Sequence, residues 1–423
     1  MSKKSATAVG PVPLVLLGTL ILCIDGYDLF LLGAIGPSLL NHPEWDIQPT
    51  TLGLIGSITA IGMPVGAMVA GWASDRFGRR LPITISVAWI SLSMMLSFLA
   101  TTVTLFTASR FLTGIALGAL VPLVVAFVSD WAPERRKSLC TGIVLSGIGV
   151  GGLLSAAIGR ALLPTVDFKW LFAIGVLPLL LIPVLLRYVP NVLPSSDTLG
   201  GAAVPAVAKN RASNPLRDLF RPGFRLATPL FWIATFVGLV LVYGASTWLP
   251  ALMMERGYGL GSSLEFSMTF NIGAIVGTIL VTLLADRGHL KLTVILCFAV
   301  AALAMLGLTT QQPYWILLGL SALAGLGTLG TQNVINIFVA QYYPAKNRGT
   351  ALGFSLGIGR FGAIVGPTYL ALVITLLPGQ PNAGFYAFVV PAILGVLIFA
   401  LVPRKPAPIS ERMSQEPAST STL

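Results

Sequence analysis

Twelve separate stretches of this chain are each apolar enough, over a sufficient length, to cross a lipid bilayer. Spanning as a helix takes roughly 20 mostly apolar residues. The first six lie near 12–40, 51–73, 82–102, 104–130, 139–163 and 168–189. The second six lie near 226–251, 264–285, 291–310, 313–340, 349–376 and 383–403. In hydrocarbon each backbone N–H and C=O has to find its partner within the chain, so these stretches are expected to be helices. The 423 residues are 55% hydrophobic and only 10% charged, with a mean hydropathy of +0.87. A water-soluble core of this length does not hide that much apolar surface. The expected class is an all-α integral membrane protein.

A net charge of +11 invites a nucleic-acid reading, but its distribution points elsewhere. With both termini on the inner side, 21 of the 26 lysines and arginines fall in inner segments, leaving Arg110, Arg160, Lys169, Arg256 and Arg360. That is the positive-inside bias, which reports orientation and needs no nucleic-acid partner. Lys3 and Lys4 before an apolar run resemble the start of a signal peptide. No convincing small-residue cleavage site follows and the run holds two aspartates, so it reads as helix 1. Cys23, Cys140 and Cys297 lie in membrane segments without metal spacing and read as small core residues. His42 and His289 fall on opposite sides, so no metal or cofactor is implied.

The two halves repeat. "ASDRFGRR" puts Asp75-Arg76 after helix 2 and "LADRGHLK" puts Asp286-Arg287 after helix 8, an offset of 211. The same offset pairs Pro133 with Pro344, Gly114 with Gly325, Gly142 with Gly353 and Gly151 with Gly362. Six helices are therefore duplicated: a bundle over 1–189, a polar Pro/Gly/Ala-rich cytoplasmic linker over 190–225, a second bundle over 226–403 and a cytoplasmic tail over 404–423. Two pseudo-symmetric six-helix bundles around a central cavity suit a carrier that opens alternately to either face. In this register Asp25 stands opposite Phe236, Asp28 opposite Leu239, Arg110 opposite Ser321 and Arg360 opposite Gly149. Charges present in one copy only are not demanded by the fold, so they are the functional candidates.

Asp25 and Asp28, in "ILCIDGYDLFLLG", share one helical face at i, i+3. Ionisable groups at mid-membrane are costly and mark ion or substrate paths. Two close carboxylates in low dielectric do not both ionise easily, which suits one of them to loading and releasing a proton. The plain alternative is a carboxyl that hydrogen-bonds a neighbouring helix and never titrates. Gly26 between them permits close helix approach. Arg360, in "LGIGRFGAIVGP", lies roughly 16 Å into helix 11, and Asp25 roughly 18–20 Å into helix 1, by the helical rise. At that shared depth the guanidinium fork matches a carboxylate, a substrate's or Asp25's own. Arg110, at the start of helix 4, is expected near the outer face, either snorkelling to headgroups or pairing with Asp28. Arg160 and Lys169 fit the snorkelling reading.

"GWASDRFGRR" is the most specific local motif. Gly71 and Gly78 would allow a tight inner loop, with Asp75 placed at the N-terminus of helix 11, where the dipole favours an anion. Arg76, Arg79 or Arg80 would meet Asp130 or Glu134 and latch the halves; Asp286 and Arg287 are the second copy. On helix 10, Gln332 and Asn336 share a face at i, i+4, open to helix–helix hydrogen bonding or to the cavity. Tyr243 and Trp248 on helix 7 could stack on a flat ring, although Trp248 also suits the interfacial belt.

With these motifs in hand the chain resembles the major facilitator superfamily, whose loop 2–3 signature "GWASDRFGRR" matches. Within it, "DGYD", "RFLTGIALG", "WAPERRKS", "STWLPALM" and "YYPAKNRGTALGFSLGIGRFGAIVGP" are similar to segments of the aromatic acid:proton symporters. The resemblance implies uptake of hydroxybenzoate, benzoate or protocatechuate with protons. It gives Asp25 and Asp28 to proton coupling and substrate handling, Arg110 and Arg360 to charge balance, and Asp75 to the latch. "ADRGHLK" lacks the glycine-arginine ending, which weakens a symmetric second latch. Some relatives move nicotinate or muconate, so the ring is left open. Helix 5, "GIVLSGIGVGG", lacks the Gly-Pro pair of drug/proton antiporters, favouring symport over efflux.

The expectation is a monomeric, multi-pass carrier in a bacterial inner membrane, importing a small aromatic carboxylate with protons. Asp25, Arg360, Arg110, Tyr243, Gln332 and Asn336 are its expected substrate-site residues. Efflux or antiport of aromatic compounds is the rival within transport. A membrane enzyme would need a nucleophile–base or metal set that the residues do not offer, and a sensor would need a signalling domain.

Overall fold

The computed structural model describes residues 11–133, 137–190, 219–221, 223–285, 289–380 and 382–403. The linker over 191–218, the tail over 404–423 and, among expected gate residues, Glu134, Asp286 and Arg287 lie outside the described residues, as does the side chain of Asp75. Among the described residues, twelve helices are long and apolar enough to span a membrane. In chain order they are α1 (Pro11–Leu40), α2 (Pro49–Phe77), α3 (Arg80–Phe98), α4 (Val103–Trp131), α5 (Lys137–Leu162) and α6 (Lys169–Tyr188). The second six are α7 (Ala227–Glu255), α8 (Leu260–Ala285), α9 (Leu290–Gly307), α10 (Tyr314–Tyr342), α11 (Ala345–Leu376) and α12 (Ala383–Leu401). Every expected span is present. α6 is broken by a 3₁₀ turn over Leu177–Leu181.

Local chemistry sets the ends. Pro49 opens α2, where its missing N–H is no loss. Thr102 caps α4 by accepting from the Leu105 N–H at 3.2 Å. α2 ends at Gly78, whose φ of 77° only glycine adopts without strain.

The duplication is visible in the packing. In the first half α1 packs on α5, and α2 on α4; in the second, α7 packs on α11, and α8 on α10. Gly114 of α4 lies against the Thr59 backbone of α2, so closely that a Cβ there would collide with it. Gly325 of α10 lies in the same way against the Phe270 backbone of α8, and the offset of 211 relates both pairs. Small residues let helix backbones approach where lipid offers no hydrophobic drive to pair them.

The halves meet through α1–α7, α2–α11 and α5–α8. All described hydrogen bonds and ion pairs between them lie at mid-depth or toward the face opposite the termini. Ser57 Oγ donates to the Ile364 carbonyl at 2.5 Å, and Thr368 Oγ1 donates to the Gly53 carbonyl at 3.3 Å. Arg160 Nη2 pairs with Glu265 Oε1 at 2.6 Å, and Tyr314 also donates to Glu265. Among the described residues, then, the interface is polar-bonded on the far side and not on the side of the termini.

Candidate functional site

Two charged groups occupy the middle of the molecule, and each expected aspartate belongs to a different one. Asp28, on α1, turns toward α4, and its Oδ1 accepts from Arg110 Nη1 at 2.7 Å. The side chains are 0% and 1% exposed. Arg110 Nη2 also donates to Ser97 Oγ at 2.9 Å and Thr113 Oγ1 at 2.8 Å, and the guanidinium stands 4.8 Å from the Phe172 ring centre. Asp28 Oδ2 and Arg110 Nε have no partner.

The expectation that Arg110 sits near the outer face is thus corrected. α4 starts at Val103 and carries Arg110 two turns inward, where Asp28 and the hydroxyls of Ser97 and Thr113 replace the headgroups. Of the two readings for this residue, pairing with Asp28 is the one observed.

The second group joins both halves. Asp25, also buried, has its Oδ1 without a hydrogen-bond partner. Gly26 beside it packs on the Ile148 backbone of α5, which holds this part of α1 tightly. Arg360 lies at the middle of α11, matching the depth of Asp25 in α1, and acts on Asp25 electrostatically. Its Nη1 donates to Tyr243 Oη at 3.2 Å and to Met63 Sδ at 3.3 Å. Tyr243 Oη donates to Met63 Sδ at 3.3 Å. Arg360 makes no ion pair within 4.0 Å among the described residues. A small cavity lined by Asp28, Thr59, Met63, Arg110 and Tyr243 lies between the two groups.

Other expected site residues stand apart. Gln332 Nε2 donates to Asn336 Oδ1 at 3.2 Å, confirming their shared face, while Gln332 Oε1 is buried unpartnered toward Gly238 of α7. Neither makes a described contact with Arg360. Trp248 is 0% exposed and donates to the Pro367 carbonyl at 2.9 Å, so it serves neither an interfacial belt nor an open ring-stacking face. The indole N–H found a helix partner, as a buried indole must.

The expected latch is reorganised too. Arg79 Nε pairs with Asp130 Oδ2 at 3.1 Å, but both belong to the first half, so this contact ties α4 to the α2–α3 turn and does not latch the two halves. Arg80 Nε donates to the Val189 carbonyl at 2.5 Å, again within the first half, and Arg76 is exposed over the Trp72 and Phe77 rings. Gly71 lies inside α2 with open space around it, so Gly78 alone serves the turn. Asp75 falls in the last turn of α2, which continues past the expected end at residue 73.

Three features escaped sequence reasoning. Met63 carries no charge, so nothing in its sequence context marks it out. Arg160, which fits the snorkelling reading by position, pairs across the halves with Glu265. In the repeat register Arg160 faces Ala371 and Glu265 faces Leu54, so the one-copy criterion would have found them. Lys169 lies over the Trp45 ring at 5.1 Å.

Comparison with known proteins follows the same lines. The family model described as Major Facilitator Superfamily matches residues 18–309 and, separately, 264–422. The benzoate transport protein of Acinetobacter baylyi is 33% identical over 438 residues, covering 96% of this chain and 93% of its own length. The gentisate transporter of Corynebacterium glutamicum is 34% identical over 397 residues, covering 92% and 87%. Among solved structures, a D-xylose-proton symporter aligns with TM-score 0.74 at 20% identity, covering 92% of this chain and 97% of that one. That last likeness is one of fold.

Proposed function

Because the chain belongs to the Major Facilitator Superfamily, we propose that it is a secondary transporter importing a small aromatic carboxylate with a proton by alternating access. Membership sets aside the membrane-enzyme alternative, since the family and the relatives are transporters. The observation that carries the proposal is the half-buried guanidinium of Arg360 at mid-depth, bonded among the described residues only to a phenol and a thioether. A carboxylate supplies what this cation lacks, two charged acceptors in its own fork geometry. Tyr243 adds a ring and an O–H beside it. The printed substrates of the relatives, benzoate and gentisate, support a ring on that carboxylate.

Coupling follows from charge. Asp25 and the ligand both bring a carboxylate to one guanidinium, and like charges in low dielectric are costly together. A proton taken by Asp25 removes that conflict, so anion and proton occupy the site together. Asp28, held by Arg110, is the fixed neighbour that keeps the first group neutral overall. Gln332 and Asn336 would extend the ligand's reach along α10.

The positive-inside bias puts the face of the termini in the cytoplasm, hence a bacterial inner-membrane protein. The working unit is one chain of two bundles, 1–189 and 226–403, with a cytoplasmic linker and tail. The far-side bonds between the halves then close the outer face. Asp75, Asp286 and Arg287 stay proposed as inner-face gate residues.

The test is uptake of labelled benzoate and 4-hydroxybenzoate into proteoliposomes under an imposed inward proton gradient. The expected result is accumulation by the wild type, with Asp25→Asn losing gradient-driven accumulation while retaining exchange. Equal accumulation by both proteins would refute the role of Asp25. Absence of any aromatic carboxylate uptake would refute the substrate class.

A further inference from the structure

Met63 occupies an unusual place for an apolar side chain. It is 1% exposed at the middle of α2, yet its sulfur accepts from both Arg360 Nη1 and Tyr243 Oη at 3.3 Å. The two donors are themselves 3.2 Å apart, so the three atoms form a closed triangle. A thioether is a weak acceptor, whereas a carboxylate with a guanidinium makes some of the strongest hydrogen bonds available to a protein. Arg360 at mid-membrane is therefore bonded to a poor acceptor on the opposite half of the molecule.

The backbone at Met63 is not free to follow an incoming ligand. Gly118 of α4 lies directly against it, so closely that a Cβ would collide with the Met63 carbonyl. The side chain has three rotatable bonds and can leave without moving the helix. The sulfur, once displaced, also stays near enough to touch a ring, and sulfur–aromatic contacts are favourable.

Resting on the reading above, we propose that Met63 is a specificity-determining residue of the substrate site, an acceptor that the carboxylate of the substrate displaces from Arg360 and Tyr243. Met63 belongs to the first half and both donors to the second. Displacement thus exchanges a bond between the halves for bonds to the ligand. All other described hydrogen bonds between the halves lie nearer the far face. Binding of the carboxylate at mid-depth is in this way read by the interface itself.

The experiment is equilibrium binding of labelled benzoate to the purified full-length protein, comparing wild type with Met63→Leu and Met63→Gln. Leucine keeps the volume and removes the acceptor; glutamine keeps the length and offers a stronger one. The expected result is benzoate binding about three- to tenfold tighter in M63L and weaker by a similar factor in M63Q. Competition by benzyl alcohol, which has the ring but no carboxylate, is expected to keep the wild-type midpoint in both. Shifts in the same direction for both variants, or shifts within about twofold of wild type, would overturn the proposal and leave Met63 a packing residue. If benzoate binds to none of the three proteins, the substrate class fails, and this assignment with it.

Discussion

The Asp28–Arg110 pair makes a quantitative test of how this fold carries charge in its core. Arg110→Ala removes three donated hydrogen bonds, at 2.7, 2.9 and 2.8 Å, and a ring contact at 4.8 Å. It leaves the Asp28 carboxylate at 0% exposure, with the second oxygen already unpartnered. Breaking a buried pair from one side costs about 3–5 kcal/mol, mostly from the stranded charge. Asp28→Leu strands the guanidinium and belongs in the same range. The double variant Asp28→Leu with Arg110→Met is different. Ser97 keeps the Ser93 carbonyl at 3.0 Å and Ser109 at 2.7 Å, and Thr113 keeps the Ser109 carbonyl at 3.0 Å. No hydroxyl is orphaned, so the double variant is expected within about 1 kcal/mol of wild type. Thermal unfolding in detergent reads this as a loss on the order of 5–10 °C for each single variant and near-recovery in the double. A double variant as unstable as its parents would refute the reasoning, because the cost would then come from packing around Phe172 and not from unpaired charge.

Two further predictions concern the far-side closure. Gly33 of α1 lies against the Ser246 backbone of α7, and a Cβ there would also come within 3.3 Å of the Thr247 carbonyl. Gly33→Ala is expected to cost the closed arrangement about 1–3 kcal/mol, roughly five- to over a hundredfold in population. An engineered cysteine at Thr247 should therefore react correspondingly faster with an impermeant maleimide added from that side, and an unchanged rate would contradict the packing. Arg160→Ala breaks the Glu265 pair at the same face, but these side chains are 52% and 29% exposed, so the expected effect is only about 0.2–1 kcal/mol. The same labelling should rise less than about fivefold and the difference should shrink with salt; a larger effect than Gly33→Ala would reverse the ranking.

Much of this architecture was legible in the sequence because bilayer thickness, helical rise and a repeat offset are all linear measures. The twelve spans, the offset of 211 and the shared depth of Asp25 and Arg360 are counted along the chain, and the structure keeps them. Spacing also predicts which side chains share a helix face, hence the Gln332–Asn336 hydrogen bond. What could not be counted is rotation about each helix axis. Asp25 and Asp28 share a face by spacing, yet Asp28 is bonded to Arg110 of α4 while Asp25 Oδ1 has no hydrogen-bond partner among the described residues. Of the three arginines and two acids offered as partners, packing selects Arg79 with Asp130, a pair that lies wholly within the first bundle. Met63 was invisible because its role depends on two donors more than 100 residues away in sequence.

The duplication and the site pull in opposite directions, and the difference is informative. Glycine crossings such as Gly114 on α2 and Gly325 on α8 recur in both halves, because each bundle needs the same close helix packing. The mid-depth charges do not recur: Asp25, Asp28, Arg110 and Arg360 each stand in one copy only. Two carboxylates come from α1, while the Arg360 cation, without an ion pair among the described residues, and its phenol come from α11 and α7. α1 and α7 are the same helix of the repeat, yet one copy carries Asp25 and Asp28 where the other carries Phe236 and Leu239. In the proposed site, an anion bound at Arg360 would therefore see an acid from the opposite half, and neither bundle alone would hold every proposed group. Any motion that parts the bundles weakens the interaction between Asp25 and Arg360. Under the proposed function, that is the physical link by which the protonation of one residue and the position of a whole half would constrain each other.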